Sequence, residues 1–311
     1  MLSITEMCFY VTPIHAESQE MNAFFLFHQC ITVHELSYSK FLHHLIIISY
    51  TFLLHTANSS TRYTDPKTVM IMLWISTSCL TNSPLDVALE HIGSLTRGVE
   101  IVDGGKHYVQ NHELLESYPY KYVFFLKQLD INPASLIEPI REAAVDVIRQ
   151  RFSIAAEIGA QVVIHPGYVT FPIDLPKARQ QLSRSFTELM ISAQDLGITF
   201  MVRNAGNTDL ALLRKPDELS SMSVVPLSLD IGNAHQNNCL DEFLYEGASR
   251  YVCLYDNNGS TPEHLDIGRG TIDFSLVSEA MRANAAAGVL EMPTYRRAYD
   301  AIRALRRFEI G

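Results

Sequence analysis

From Met72 onward the chain alternates between two hydrophobic periods, and this alternation restricts its fold more than any other feature. Short apolar runs recur at Met72–Ser78, Val99–Val102, Tyr122–Leu126, Gln161–His165, Ile198–Arg203, Leu227–Ile231, Tyr251–Tyr255 and Gly288–Glu291. They lack the polar alternation of a half-exposed strand, as strands covered on both faces do. Between them lie segments with one apolar helical face. Leu85, Ala88, Leu89, Ile92 and Leu95 share a face in the first, and Ile140, Ala144, Val147, Ile148 and Ile154 share one in 137–158. Further helical segments are read at 175–196, 216–222, 240–245, 274–283 and 296–308. Pro84 precedes the first helix, and Gly159 and Gly197 end two others.

Eight such strand–helix units in ~240 residues match the size of a closed barrel of this kind. The predicted fold is therefore α/β, a single (β/α)8 TIM barrel over residues 70–311. An open doubly wound sheet is the rival, and the absence of a G-x-G-x-x-G after the first strand weakens it. Residues 1–69 read differently: rich in His, Ser, Thr and aromatics, poor in charge and without a clean period. They are expected to be a non-barrel N-terminal extension outside the working fold, with Met70 as the true start. The rival for this stretch is a membrane anchor. Its one apolar run, residues 41–54, carries His43 and His44 and falls short of the ~20 residues a spanning helix needs.

Charge and cysteine usage narrow the partners. A formal net charge of -10 repels phosphate backbones unless basic residues cluster locally. No strong basic cluster lies outside the last helix, so nucleic acid is disfavoured and a small-molecule substrate is expected. The five cysteines, Cys8, Cys30, Cys79, Cys239 and Cys253, are odd in number and contain no C-x-x-C pair. Such scatter fits reduced thiols in a cytoplasmic protein.

In a barrel of this type chemistry sits where the strands end, at their C-terminal face. The polar residues there are His165 after strand 4, Arg203-Asn204 at strand 5 and Asp230 with Asn233 at strand 6. Strand 7 carries Cys253 and is followed by Asp256-Asn257, with His264 in the loop behind, and Glu291 ends strand 8. Taken singly, each has an ordinary structural use as a cap, turn or ion-pair partner. Their recurrence at successive strand ends is what points to a site.

The stretches VVIHPG (162–167), LSLDIGNAH (227–235), YVCLYDNNG (251–259), EHLDIGRGTIDF (263–274) and GVLEM (288–292) resemble the motifs of the sugar phosphate isomerase/epimerase, or xylose isomerase-like, superfamily, which includes endonuclease IV. The most specific block is Asp256-Asn257, His264-Leu265, Gly268, Gly270 and Ile272-Asp273. The resemblance implies a divalent metal (Mn, Mg, Zn or Co) held by Glu, Asp, His and Glu at strands 5 to 8. Asp230 and Glu291 match that set, but Arg203 and Cys253 stand at the other two positions. Phe125, Asn233 and Pro262 replace further ligands of the superfamily, while His165 and His264 remain. The three-metal phosphodiesterase chemistry of endonuclease IV is therefore disfavoured.

These readings give a sugar or sugar-phosphate isomerase/epimerase-like enzyme with a degenerate metal site. Glu291, His165 and His264 are expected to move protons. Arg203, Asn204, Asn233, Asp256 and Asn257 are expected to bind substrate, and Asp230, Glu291 and Cys253 are the remaining metal donors. Arg203 is expected to lie between Asp230 and Glu291 in place of the cation, with no metal bound stoichiometrically. The alternative is a non-catalytic barrel that binds a sugar-like or anionic ligand.

Overall fold

The computed structural model of the protein describes residues 70–127, 130–220, 225–246 and 249–311. The expectations for residues 1–69, including the apolar run at 41–54, lie outside the described residues. Eight parallel strands alternate with helices: β1 (Leu73–Ser76), α1 (Leu85–Gly93), β2 (Gly98–Val102), α2 (Glu113–Glu116), β3 (Lys121–Leu126), α3 (Glu138–Glu157), β4 (Gln161–Ile164) and α4 (Leu175–Leu196). The second half runs β5 (Phe200–Arg203), α5 (Pro216–Ser220), β6 (Leu227–Asp230), α6 (Ile231–Gln236), α7 (Leu240–Glu246), β7 (Tyr251–Leu254), α8 (Phe274–Ala283), β8 (Ala287–Leu290) and α9 (Tyr295–Leu305).

The strands pair in chain order and β8 returns to β1, closing the barrel. Closure leaves no unpaired strand edge. It also explains the apolar runs, since every strand faces side chains inside the ring and helices outside it. Phe200 of β5, for example, meets Phe152 of α3 with ring centroids 5.2 Å apart, and both side chains are buried. Burying a side chain of that size stabilises by about 1.5–3 kcal/mol. Among the described residues no helix is long and apolar enough to cross a membrane.

Element existence follows the sequence pattern, and the differences have local causes. α2 has four residues, too few to show a helical period, and the sequence reading placed no helix there. α6 begins directly on Asp230, whose side chain accepts from the Asn233 amide as a helix cap. The predicted sixth strand therefore stops one residue earlier, at Asp230. α4 ends at Gly197, which takes the left-handed conformation (φ 66°) that its missing Cβ permits.

Candidate active site

Alternating strand residues enter the barrel, and at its C-terminal end they bring ionisable groups together. The nearest donor atoms of Asp230, Cys253 and Glu291 lie within 4.8 Å of one another, and all three residues are buried. Arg203 reaches into the same space from the end of β5. Its Nη1 donates to Glu291 Oε2 at 3.4 Å, its Nη2 to Glu100 Oε2 at 2.5 Å and its Nε to the Ser228 hydroxyl at 3.3 Å. The guanidinium carbon stands 3.9 Å from the centre of the Phe125 ring. Lys127, just past β3, places its Nζ 2.5 Å from the other oxygen of Glu291.

This arrangement corrects the expected position of Arg203. The guanidinium bridges Glu291 and Glu100, while Asp230 feels its charge through space. The cause is Glu100, a fully buried acid in the middle of β2 that takes the Nη2 end of the fork. The Tyr251 hydroxyl also donates to Glu100 Oε2, at 3.2 Å.

Burial and charge push the two mouth carboxylates in opposite directions. Burial alone would raise Glu291, but the positive charges of Lys127 and Arg203 outweigh it and hold the carboxyl at about 2. Burial raises Asp230, and Arg203 offsets only part of that rise. Burial, reinforced by Asp230 and Glu291, pushes the Cys253 thiol far up. Burial and then the charges of Lys127 and Arg203 bring His165 down to about 4, so its imidazole is neutral at physiological pH.

The two histidines present opposite hydrogen-bonding states. His165 Nδ1 accepts from the Gly167 amide at 3.1 Å, which leaves the proton of the neutral ring on Nε2. His264 Nδ1 faces the Glu291 carbonyl at 2.9 Å, and a carbonyl can only accept, so in its neutral ring Nε2 is the bare nitrogen. The His264 ring stacks on Tyr255 with centroids 3.8 Å apart and planes 2° from parallel. The Tyr255 hydroxyl hydrogen-bonds Asp230 and reaches Asn233 Oδ1 at 3.4 Å. Gly232 makes room for that ring, since a Cβ there would lie 2.2 Å from it.

The four remaining predicted substrate contacts hold backbone. Asn204 accepts from the Asp230 amide at 2.6 Å and donates to its carbonyl at 3.0 Å. Asn233 donates to the Asn204 carbonyl at 2.9 Å. The Asp256 carboxylate, fully buried, accepts from the amides of Asn257, Gly268, Gly270 and Ile272 at 2.8–3.3 Å. Asn257 donates to the Gly232 carbonyl and accepts from the Gly259 amide. These bonds fix the loop that carries His264 and account for both side chains without a ligand.

Residues 102–308 match the xylose isomerase-like TIM barrel family. The chain belongs to that family. It is also 30% identical over 229 residues to the uncharacterized protein MJ1614 of Methanocaldococcus jannaschii, covering 71% of this chain and 91% of the relative. Among solved structures, a D-tagatose 3-epimerase-like protein superposes with a TM-score of 0.70 at 26% identity, covering 76% of this chain and 97% of its own. The IOLI protein, crystallised with a zinc atom, superposes with a TM-score of 0.64, covering 76% of this chain and 96% of its own. At 17% identity this last likeness concerns the fold alone.

The donor set of this family member does not suit a hard divalent ion. Asp230, Cys253 and Glu291 are close enough together to surround one. However, each Glu291 oxygen already carries a side-chain cation. Cys253 Sγ donates its proton to Glu291 Oε2 at 3.4 Å, whereas a metal ligand must be a thiolate.

Three contributors escaped the sequence reading: Glu100, Lys127 and Tyr255. The signal for Glu100 was a lone acid inside the apolar run GVEIV, and for Lys127 a lone cation directly after KYVFFL. Tyr255 was read only as part of a strand end.

Proposed function

We propose that this chain is a sugar or sugar-phosphate isomerase/epimerase-like enzyme that shifts a proton within a small polyhydroxylated substrate. The observation that carries the reading is a buried mouth in which Asp230 stands beside Glu291 while Lys127 and Arg203 each hold one Glu291 oxygen, so that burial drives the proton affinity of Asp230 up and the two cations drive that of Glu291 down. Opposed pairs of this kind divide acid and base roles between them. The sequence reading gave the base to Glu291. A carboxylate clamped by two cations is a weak base, so Asp230 takes that role and Glu291 serves as a fixed charge. Asp230 takes the proton from carbon and returns it to carbon, His165 hydrogen-bonds the substrate carbonyl oxygen through Nε2–H while keeping that proton, and the bare Nε2 of His264 takes a hydroxyl proton and passes it to the adjacent oxygen. Lys127 and Arg203 steady negative charge that develops on the substrate.

Support comes from the likeness to the D-tagatose 3-epimerase-like structure. The test is incubation in deuterated water with a panel of aldoses, ketoses and their phosphates, followed by NMR. A turned-over sugar gains deuterium at carbon and a new isomer appears. Asp230→Asn lowers that exchange by about 10²–10⁴. The low affinity of Glu291 for a proton also favours a second reading, a barrel that binds a sugar-like or anionic ligand without turnover. Ligand-induced thermal stabilisation with no deuterium incorporation across the panel would establish it.

A further inference from the structure

We infer that the Arg203 guanidinium and the Lys127 ammonium together occupy the place and supply the charge of a divalent cation, so that the protein works without a resident metal. The inference rests on the mouth being the substrate site, as proposed above. Arg203, at the end of β5, and Lys127, just past β3, grip Glu291 from its two sides, Nη1 on Oε2 and Nζ on Oε1. An ion that used Glu291 would have to displace one of them. Two monovalent side chains also carry the same charge as one divalent ion, set here against the carboxylates of Glu100, Asp230 and Glu291.

The two cations differ in freedom. The Arg203 side chain is 3% exposed and pinned by Glu100, which is fully buried and has no hydrogen-bond partner on its other oxygen. Among the described residues Arg203 is the cation that Glu100 pairs with, so moving it would leave a buried acid without that counter-charge. Glu100 is thus a positioning residue for the guanidinium. The Lys127 side chain is 51% exposed and can swing from Glu291 to an incoming substrate oxygen. The site therefore pairs a fixed electrophile with a movable one, whereas a metal would present both at a single point.

The test reads metal content and affinity on the full-length protein without any substrate, so its failure is separate from failure of the proposed activity. The wild-type protein, expressed in medium supplemented with Zn and Mn and then dialysed, is expected to hold neither in stoichiometric amount. Calorimetric titration with either chloride shows no saturable site, and Mn leaves the thermal midpoint unmoved. The double variant Glu100→Gln/Arg203→Glu removes the pinned cation and its anchor and adds a carboxylate beside Asp230 and Glu291. It is expected to show a saturable Mn or Zn site where the wild type shows none, and to melt higher when Mn is added. Stoichiometric Zn or Mn in the wild-type protein, lost on Asp230→Ala, overturns the inference whether or not the double variant folds. A double variant with native near-ultraviolet circular dichroism and no gain in affinity overturns it as well.

Discussion

Among the mouth residues, His165 is the one whose ionisation should be visible in the stability of the whole protein. Burial and two neighbouring cations lower it from 6.5 to about 4. In the folded state it stays neutral where the unfolded chain would already take up a proton. Its contribution is therefore complete above pH 6.5 and is lost as the pH falls from there to about 4. The span corresponds to roughly 3 kcal/mol at most. Glu291 acts in a lower window, since its depressed carboxyl stabilises fully above 4.5 and loses that effect toward about 2. Asp230 works in the opposite sense, its raised carboxyl giving stability that fades as the pH rises. The difference between wild type and His165→Gln removes the terms they share. Urea unfolding at half-unit pH steps should give a wild-type slope between pH 6.5 and 4 that the variant lacks. Equal slopes in both proteins would assign the effect to another group. None of this ordering could be read from the sequence, because it depends on burial at the mouth, on Lys127 and on an Arg203 that Glu100 holds in place. Each looked like an isolated charge in or beside an apolar run, and only closure of the ring shows that β2, β3, β5 and β8 deliver their charges to one point.

At the scale of the element, the segment from Asp256 to Ile272 behaves as a loop built around one carboxylate. Four backbone amides converge on Asp256. Gly270 approaches so closely that a Cβ would lie 2.3 Å from both the Asn257 carbonyl oxygen and the Asp256 carboxylate. The sequence showed this block plainly, as Asp256-Asn257 followed by His264, Gly268 and Gly270, and read its acid and amide as substrate contacts, whereas in the structure both side chains hydrogen-bond backbone. A motif of polar residues and glycines looks the same whether it grips a ligand or its own backbone. The distinction lies in hydrogen-bond directions that spacing does not encode. Asp256→Ala should leave these amides without their shared acceptor and destabilise by about 1–3 kcal/mol for each one that water cannot reach. The exposed Arg269 in the same loop offers a local readout. Trypsin should cut after Arg269 faster in Asp256→Ala than in the wild type at a temperature where both are folded, and the thermal midpoint should fall. Unchanged cleavage would mean that the loop is held by other contacts.

At the scale of the molecule, the decisive property is that the ring closes within residues 73–290. β1 pairs with β2 on one side and with β8 on the other, through Ile75↔Val99 and Leu73↔Gly288. A bridge between Ile71 and Ile310 ties the start of the barrel to the end of its last helical segment. Every strand thus has two neighbours drawn from this one stretch, and the hydrophobic core from Ile71 to Ile310 is continuous. In the sequence the periodic apolar runs likewise begin near Met70, and eight of them follow. Periodicity was a good guide here because parallel strands covered on both faces are apolar along their whole length. A fragment of residues 70–311 should then fold without the first 69 residues. It is expected to be soluble, to show near-ultraviolet circular dichroism from its single tryptophan and its tyrosines, and to unfold in urea in one cooperative step. Opening the ring should be far more damaging than shortening the chain ahead of it. Removal of β8 together with α9 exposes one edge on β1 and another on β7, and such a fragment should aggregate. A 70–311 fragment that is insoluble while the full chain remains folded would show instead that the barrel draws on the preceding residues.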